Sequence, residues 1–150
     1  MAKNLIYVFF TAVMLAGCER EWRVVSGEML TERHGSYYEP ESNVPFTGRA
    51  EWFHENGQLM TYIYYIDGKR NGVNEDFFED GRLSERSVYI DGKRNGLHEE
   101  YYPNGQLMER RHYIYGKGNG LWERYGEDGS LLTSDYYVDG AAIPEQIDPK

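Results

Sequence analysis

The chain has 150 residues, 25 acidic against 16 basic, for a formal net charge of −9. That balance argues against nucleic acid as the main partner, because phosphate binding needs a basic surface. Mean hydropathy is low, at −0.73, but 15% of residues are aromatic, and disordered chains are poor in aromatics. A single Cys excludes an internal disulfide and any Cys-based zinc site.

The first elements are a leader and its end. Met1-Ala2-Lys3-Asn4 carries one positive charge, and an apolar run follows from Leu5 to Leu15. At about 1.5 Å per residue that run reaches roughly half of a ~30 Å hydrocarbon core, too short for a stable membrane helix. A basic start, a short apolar core and small residues at its end describe a secretory signal peptide over residues 1–17. Its last residues and the next, Leu15-Ala16-Gly17-Cys18, resemble the lipobox of bacterial lipoproteins. The resemblance implies cleavage before Cys18 and fatty acylation, such as palmitate, on the Cys18 sulfur and the new amino terminus. Several acyl chains make a stable anchor where one does not. Glu19 rather than Asp follows the Cys, which for a Gram-negative lipoprotein implies the periplasmic face of the outer membrane.

After residues 18–47, read as an anchor linker and a degenerate first hairpin, a repeat begins. Gly48, Gly72, Gly96 and Gly120 stand 24 residues apart, as do Gly57, Gly81, Gly105 and Gly129, and Gly68, Gly92, Gly116 and Gly140. The same period carries Glu51, Glu75, Glu99 and Glu123; Phe53, Phe77, Tyr101 and Tyr125; and Tyr65, Tyr89, Tyr113 and Tyr137. Such self-similarity is the signature of a repeat architecture. Each unit reads as two strands rich in Tyr, Phe, Ile and Val, with two turns. Asn56-Gly57 and its equivalents fit two-residue hairpin loops with both central residues at positive φ. Asp67 to Gly72 and its equivalents form the second turn. That register sets Phe53 opposite Met60, Tyr101 opposite Met108, Glu75 opposite Arg86, and Glu99 opposite Arg110. The expected fold is all-β: an elongated single-layer antiparallel meander of about four 24-residue hairpins over 48–140, with 141–150 a tail. Gly27, outside the periodic set, is expected in an exposed loop that tolerates a side chain.

Units such as G-R-A-E-W-F-H-E-N-G-Q-L-M and G-L-H-E-E-Y-Y-P-N-G-Q-L-M resemble the bacterial MORN-repeat variant family, including toxin–antitoxin YwqK-like antitoxin repeat proteins. Arg33 to Tyr38 and Pro45 to Gly48 resemble the opening segment of the same family. The resemblance implies a protein-binding repeat module, and in some members an antitoxin.

Catalytic and metal chemistry find little support in the pattern. The D-x-K-x-N-G loops put Lys69 and Lys93 where a calcium loop needs oxygen ligands. His34, His54, His98 and His112 lack metal-ligand spacing. Successive Glu of the periodic series sit about 9.5 Å apart, two strands, too far to share one ion. No Ser stands in a G-x-S-x-G elbow or near a His in sequence. The reading is a non-enzyme without catalytic residues, metal or cofactor.

The aromatics outside the period, Trp52, Trp122, Tyr62 and Tyr115, are the candidates for partner binding, since interfaces favour Trp and Tyr. Trp52 and Trp122 stand where the second repeat has Asp76 and Asn74, so the hairpin alone does not require them. The expected function is a membrane-anchored protein-binding lipoprotein of the cell envelope, as an antitoxin or immunity protein that sequesters a basic toxin. The alternative is an envelope scaffold binding lipid or peptidoglycan.

Overall fold

A computed structural model describes residues 22–143; the leader, Cys18 and residues 144–150 lie outside that range. Within it the strands are β1 (Val24–Ser26), β2 (Thr31–Arg33), β3 (Ser36–Tyr38), β4 (Gly48–Phe53), β5 (Leu59–Ile66), β6 (Lys69–Arg70), β7 (Gly72–Phe77), β8 (Leu83–Ile90), β9 (Lys93–Tyr101), β10 (Leu107–Ile114), β11 (Lys117–Tyr125), β12 (Leu131–Val138) and β13 (Ala141–Ile143). From β4 onward the chain forms one antiparallel meander, with β6 pairing β5 and β1 joining β4 in parallel; β2 and β3 make a separate hairpin. The sheet continues past residue 140, because β13 pairs with β12 through Val138 and Ala141.

The two turns of each repeat have the opposite characters to those expected. Asp67, Asp91, Tyr115 and Asp139 all lie at positive φ, as do the glycines that follow them. These four pairs, not Asn-Gly, are therefore the two-residue turns whose twist suits a hairpin. At the other end only the glycines 57, 81, 105 and 129 have positive φ. There the His54 amide donates to Gln58 O at 2.8 Å and the Gly57 amide to His54 O at 2.9 Å. That is a three-residue loop closed by a left-handed glycine.

The longer loop shifts the register by one residue, and a bulge shifts it back. Phe53 pairs with Leu59 rather than Met60, and Tyr101 with Leu107 rather than Met108, but the next pairs are Trp52 with Thr61 and Glu100 with Glu109. Met60 and Met108 are the extra residues, and so are Ser84 and Leu132. Beyond the bulge the expected pairs hold, with Glu75 opposite Arg86 and Glu99 opposite Arg110.

Each repeat is fastened to its predecessor at the two-residue turns. Gly68 N–H donates to Phe46 O, Gly92 to Arg70, Gly116 to Arg94 and Gly140 to Gly118, at 2.7–2.8 Å. Within the D-G-K-R-N-G motif, Asn95 Oδ1 also accepts from the Tyr115 amide at 3.1 Å. At the opposite ends Asn56 Nδ2 donates to Glu79 O and Asn104 Nδ2 to Glu127 O. Neighbouring repeats are therefore joined by backbone bonds at one rim and by side-chain-to-backbone bonds at the other.

The apolar core lies at the start of the sheet rather than within the repeats. Phe46, Ala50, Ile63 and Tyr65 are buried together, with Val25, Leu30, Tyr37 and Trp52 packed against them. Residues 22–47 supply the cover: the Tyr37 ring lies 4.9 Å from that of Tyr65, and Phe46 lies 5.9 Å away. Gly27 belongs to this packing. It is buried, and an added Cβ would sit 1.9 Å from the Trp52 ring. The expectation of an exposed, tolerant Gly27 was wrong.

Two substitutions separate these constraints. Gly105 has φ +86 with open space around it, so Gly105→Val should cost about 1–3 kcal/mol from backbone strain alone. Gly27→Val should cost about 1–3 kcal/mol or more through overpacking against Trp52. Thermal melts check both, and a neutral Gly27→Val would contradict the Trp52 contact.

Candidate recognition face

Alternation along the strands divides the side chains between two faces. One carries the periodic Glu series, here the ladder face. The other carries the Tyr65, Tyr89, Tyr113 and Tyr137 column, here the spine face.

On the ladder face the Glu series pairs with Arg and Tyr. Arg86 Nε donates to Glu75 Oε1 at 2.7 Å and Tyr62 OH to Glu75 Oε2 at 2.6 Å. Arg110 Nε reaches Glu99 Oε1 at 3.1 Å, and its Nη1 lies 3.9 Å from Glu123. Burial, followed by the adjoining Glu75 carboxylate, pushes the Tyr62 hydroxyl well above its ordinary value. Tyr62 is thus a member of the strand-to-strand ladder. Arg49 lies 4.2 Å over its ring.

On the spine face the tyrosines alternate with arginines. Arg70 stacks over Tyr89 and Arg94 over Tyr113, each 5.5 Å from the ring centroid. Burial pushes the Tyr65 hydroxyl up to about 12, against the lowering effect of Arg70. The next position in the Arg70, Arg94 series is Gly118, and there the indole of Trp122 fills the gap. A Cβ on Gly118 would lie 2.6 Å from Trp122 Cζ2. The indole stacks on Tyr137 at 4.0 Å, lies 5.5 Å from Tyr113, and donates from Nε1 to His112 O at 3.2 Å.

Two further rows cross the spine face. One runs Ala50, Ile63, Asn74, Ser87, His98, Arg111, Trp122 and Asp135; the other runs Trp52, Thr61, Asp76, Glu85, Glu100, Glu109, Arg124 and Thr133. Neither keeps one residue type from repeat to repeat. Their centre is a polar network that the sequence pattern did not reveal. Ser87 Oγ lies 2.8 Å from His98 Nδ1 and donates to Glu85 Oε1 at 2.8 Å; His98 Nε2 lies 2.9 Å from Glu100 Oε1. A hydroxyl, an imidazole and a carboxylate in a chain resemble nucleophilic machinery. Ser87 and His98 are each 1% exposed, however, so the network satisfies buried polar groups across two strands, β8 and β9. Counting across strands brings Ser87 to His98 only when the two-residue bulges at Gly72, Gly96 and Gly120 are included, which is why sequence proximity missed it.

The four candidate aromatics do not converge. Trp52 is tucked beneath residues 22–47, Tyr62 is on the ladder face, and Tyr115 is an exposed turn residue at φ 46. Trp122 alone borders an open groove. That groove, of about 230 Å³, is lined by Glu109, Arg111, Trp122, Glu123, Arg124, Thr133, Asp135 and Tyr137. Arg111 donates to Glu109 Oε2, and Arg124 Nη2 lies 3.4 Å from Glu109 Oε1. Among the described residues no group of three His, Cys, Asp or Glu is placed to hold a metal ion.

Known proteins supply a partial match. The MORN repeat variant is matched at residues 46–67 and 94–115. The two segments start 48 residues apart (94 − 46), two periods, so MORN repeats are present where the meander has its first and third units. No curated protein matches the sequence. A solved structure titled "Crystal Structure of TarM" is 16% identical over 73% of this chain and 21% of that one, with a TM-score of 0.38, a likeness too distant to bear on function.

Packing reverses the expectation that the two Trp are dispensable for stability. Trp52→Ala and Trp122→Ala should each cost about 3 kcal/mol, the low end for a large aromatic removed from packing. Trp122→His with Gly118→Arg recreates His98 and Arg94, the equivalent residues of the preceding repeat. This double variant should melt closer to the wild type than Trp122→Ala does; an equal or lower melting temperature would contradict the gap-filling role.

A second expectation follows from Asp76. Burial raises its carboxyl above the ordinary 3.8, so its charged form costs stability once pH exceeds the folded value. Asp76→Asn should raise the melting temperature at pH 7, and the gain should vanish below the ordinary carboxylate value. A gain independent of pH would contradict burial as the cause.

Proposed function

We propose that the chain is a non-catalytic binding module, anchored to the cell envelope through acylated Cys18, whose spine face captures a basic protein. The specific form is an antitoxin or immunity protein that sequesters a toxin. The observation that carries this reading is the unequal use of the two faces. The ladder face repeats Glu and an aromatic in every unit, as the hairpins require. The two non-tyrosine rows of the spine face keep no residue type through all four repeats: Ala50, Asn74, His98 and Trp122 are equivalent positions, as are Trp52, Asp76, Glu100 and Arg124. Residues exempt from the period are free to match a partner. The net charge of −9 favours a basic one, since complementary charge speeds encounter and selects partners.

A pull-down from detergent-solubilised envelopes, with the full chain as bait, tests this. The expected result is a basic protein that elutes with salt, and acyl labelling of the bait that Cys18→Ser abolishes. Labelling that survives Cys18→Ser would remove the anchor. Retention of acidic proteins only, or of none, would remove the capture reading.

One observation supports the envelope scaffold as a second reading. Ile90, Ile114 and Val138 are exposed in a line at the turn rim, and exposed Lys69, Lys93 and Lys117 stand on the adjoining strands. Apolar side chains flanked by cations suit an anionic lipid surface. Flotation of the Cys18→Ser chain with phosphatidylglycerol vesicles, lost on changing the three Lys to Glu, would favour it. No flotation would exclude it.

A further inference from the structure

We infer that the groove between β11 and β12 on the spine face is a binding site for an uncharged saccharide. The inference goes beyond the capture of a protein and stands on the groove's own composition.

Charge decides the class. Two guanidiniums, Arg111 and Arg124, and two carboxylates, Glu109 and Asp135, line the cavity. Both arginines bond to Glu109, so an anion entering would meet guanidinium charge already offset by that carboxylate, and the second carboxylate of Asp135. A cation would meet two guanidiniums. Glu123 adds no free charge to the groove, because its carboxylate faces Arg110 on the ladder face. A neutral ligand rich in hydroxyls fits, since each hydroxyl both donates and accepts. Asp135 offers two acceptor oxygens and Thr133 a hydroxyl, while Arg124, more than half exposed at 58%, keeps donors available toward solvent. Planar carboxylate and guanidinium groups suit paired bonds to adjacent hydroxyls in the way they pair with each other.

Shape and backbone agree. The aromatic wall of Trp122 and Tyr137 gives an apolar surface beside the polar groups, the mixture small-ligand sites use. A cavity of about 230 Å³ is below the roughly 300–1,000 Å³ of drug-sized sites, which suits one ring of an oligosaccharide with its neighbours outside. An extended peptide would need a free strand edge for its amides. The floor here is β11, paired with both β10 and β12, so no edge is offered within the groove; the outer edge of β12, covered among the described residues by β13 at Tyr136–Val138 alone, lies beside it.

Isothermal titration of the full chain with maltotetraose and with chitotetraose tests the site, with lysine amide and inorganic phosphate as charged probes. Asp135→Ala and Thr133→Val change exposed side chains and should leave the melting temperature unchanged. We expect at least one tetrasaccharide to bind saturably, insensitive to salt, and each variant to weaken it tenfold or more. Saturation by neither sugar would overturn the inference. So would a sugar affinity that both variants leave intact, or binding confined to lysine amide or phosphate. A peptide from a captured partner competing for the groove, with no sugar bound, would overturn it while leaving the capture reading in place.

Discussion

The hydrogen bond from each turn glycine to the preceding repeat is the constraint on which the rest depends. Gly92 N–H reaches Arg70 O, and the same bond recurs at Gly68, Gly116 and Gly140. It requires a turn with both central residues at positive φ, which favours Asp, Asn or Gly, although Tyr115 takes the first position in one copy. With the turn fixed, Tyr65, Tyr89, Tyr113 and Tyr137 fall into one column with a strand between successive members. The arginine two residues after the turn can then lie between tyrosines. A single-layer sheet has no second sheet to bury its faces. Side-chain stacking across repeats takes that place here, with a compact apolar core only where residues 22–47 fold over the start.

This arrangement divides the labour between the faces. The ladder face holds strands together by Glu–Arg and Glu–Tyr contacts such as Arg86–Glu75 and Tyr62–Glu75. Ion pairs of this exposure contribute little singly, and their value lies in setting the cross-strand register. The spine face keeps one invariant column and leaves two rows free. Those rows become a buried polar network at Ser87 and His98, a gap-filling indole at Trp122, and an open groove beyond it. The groove lies at the end of the sheet away from the apolar core, beside the indole that fills the space Gly118 leaves.

Much of the fold was legible because the period is strict. Four copies of each glycine, the strand composition and the Glu75–Arg86 and Glu99–Arg110 pairs could all be read by counting. The turns were misassigned for a physical reason: Asn-Gly and Asp-Gly suit two kinds of loop, and sequence does not say which glycine shares its positive φ with the residue before it. The error in loop length cancelled against the bulges at Met60 and Met108, so the inner register survived. What counting could not supply was packing from outside the period, such as Gly27 beneath Trp52. For Trp122 a signal was present. Gly118 interrupts the Arg70, Arg94 series, and a missing large side chain beside an extra one suggests that one fills the other's place. Cys18 lies outside the described residues, and its role rests on the sequence alone.

The central claim is that partners are met by the spine face, and two adjacent residues of β12 test it most directly. Thr133 and Ser134 are both exposed and point to opposite faces, Thr133 beside Arg124 and Ser134 beside Glu123. The affinity of the captured basic protein should be measured for Thr133→Arg and Ser134→Arg in the full chain. The account predicts at least a tenfold loss, about 1.4 kcal/mol, for Thr133→Arg and no change for Ser134→Arg. Loss confined to Ser134→Arg would place recognition on the ladder face and contradict it.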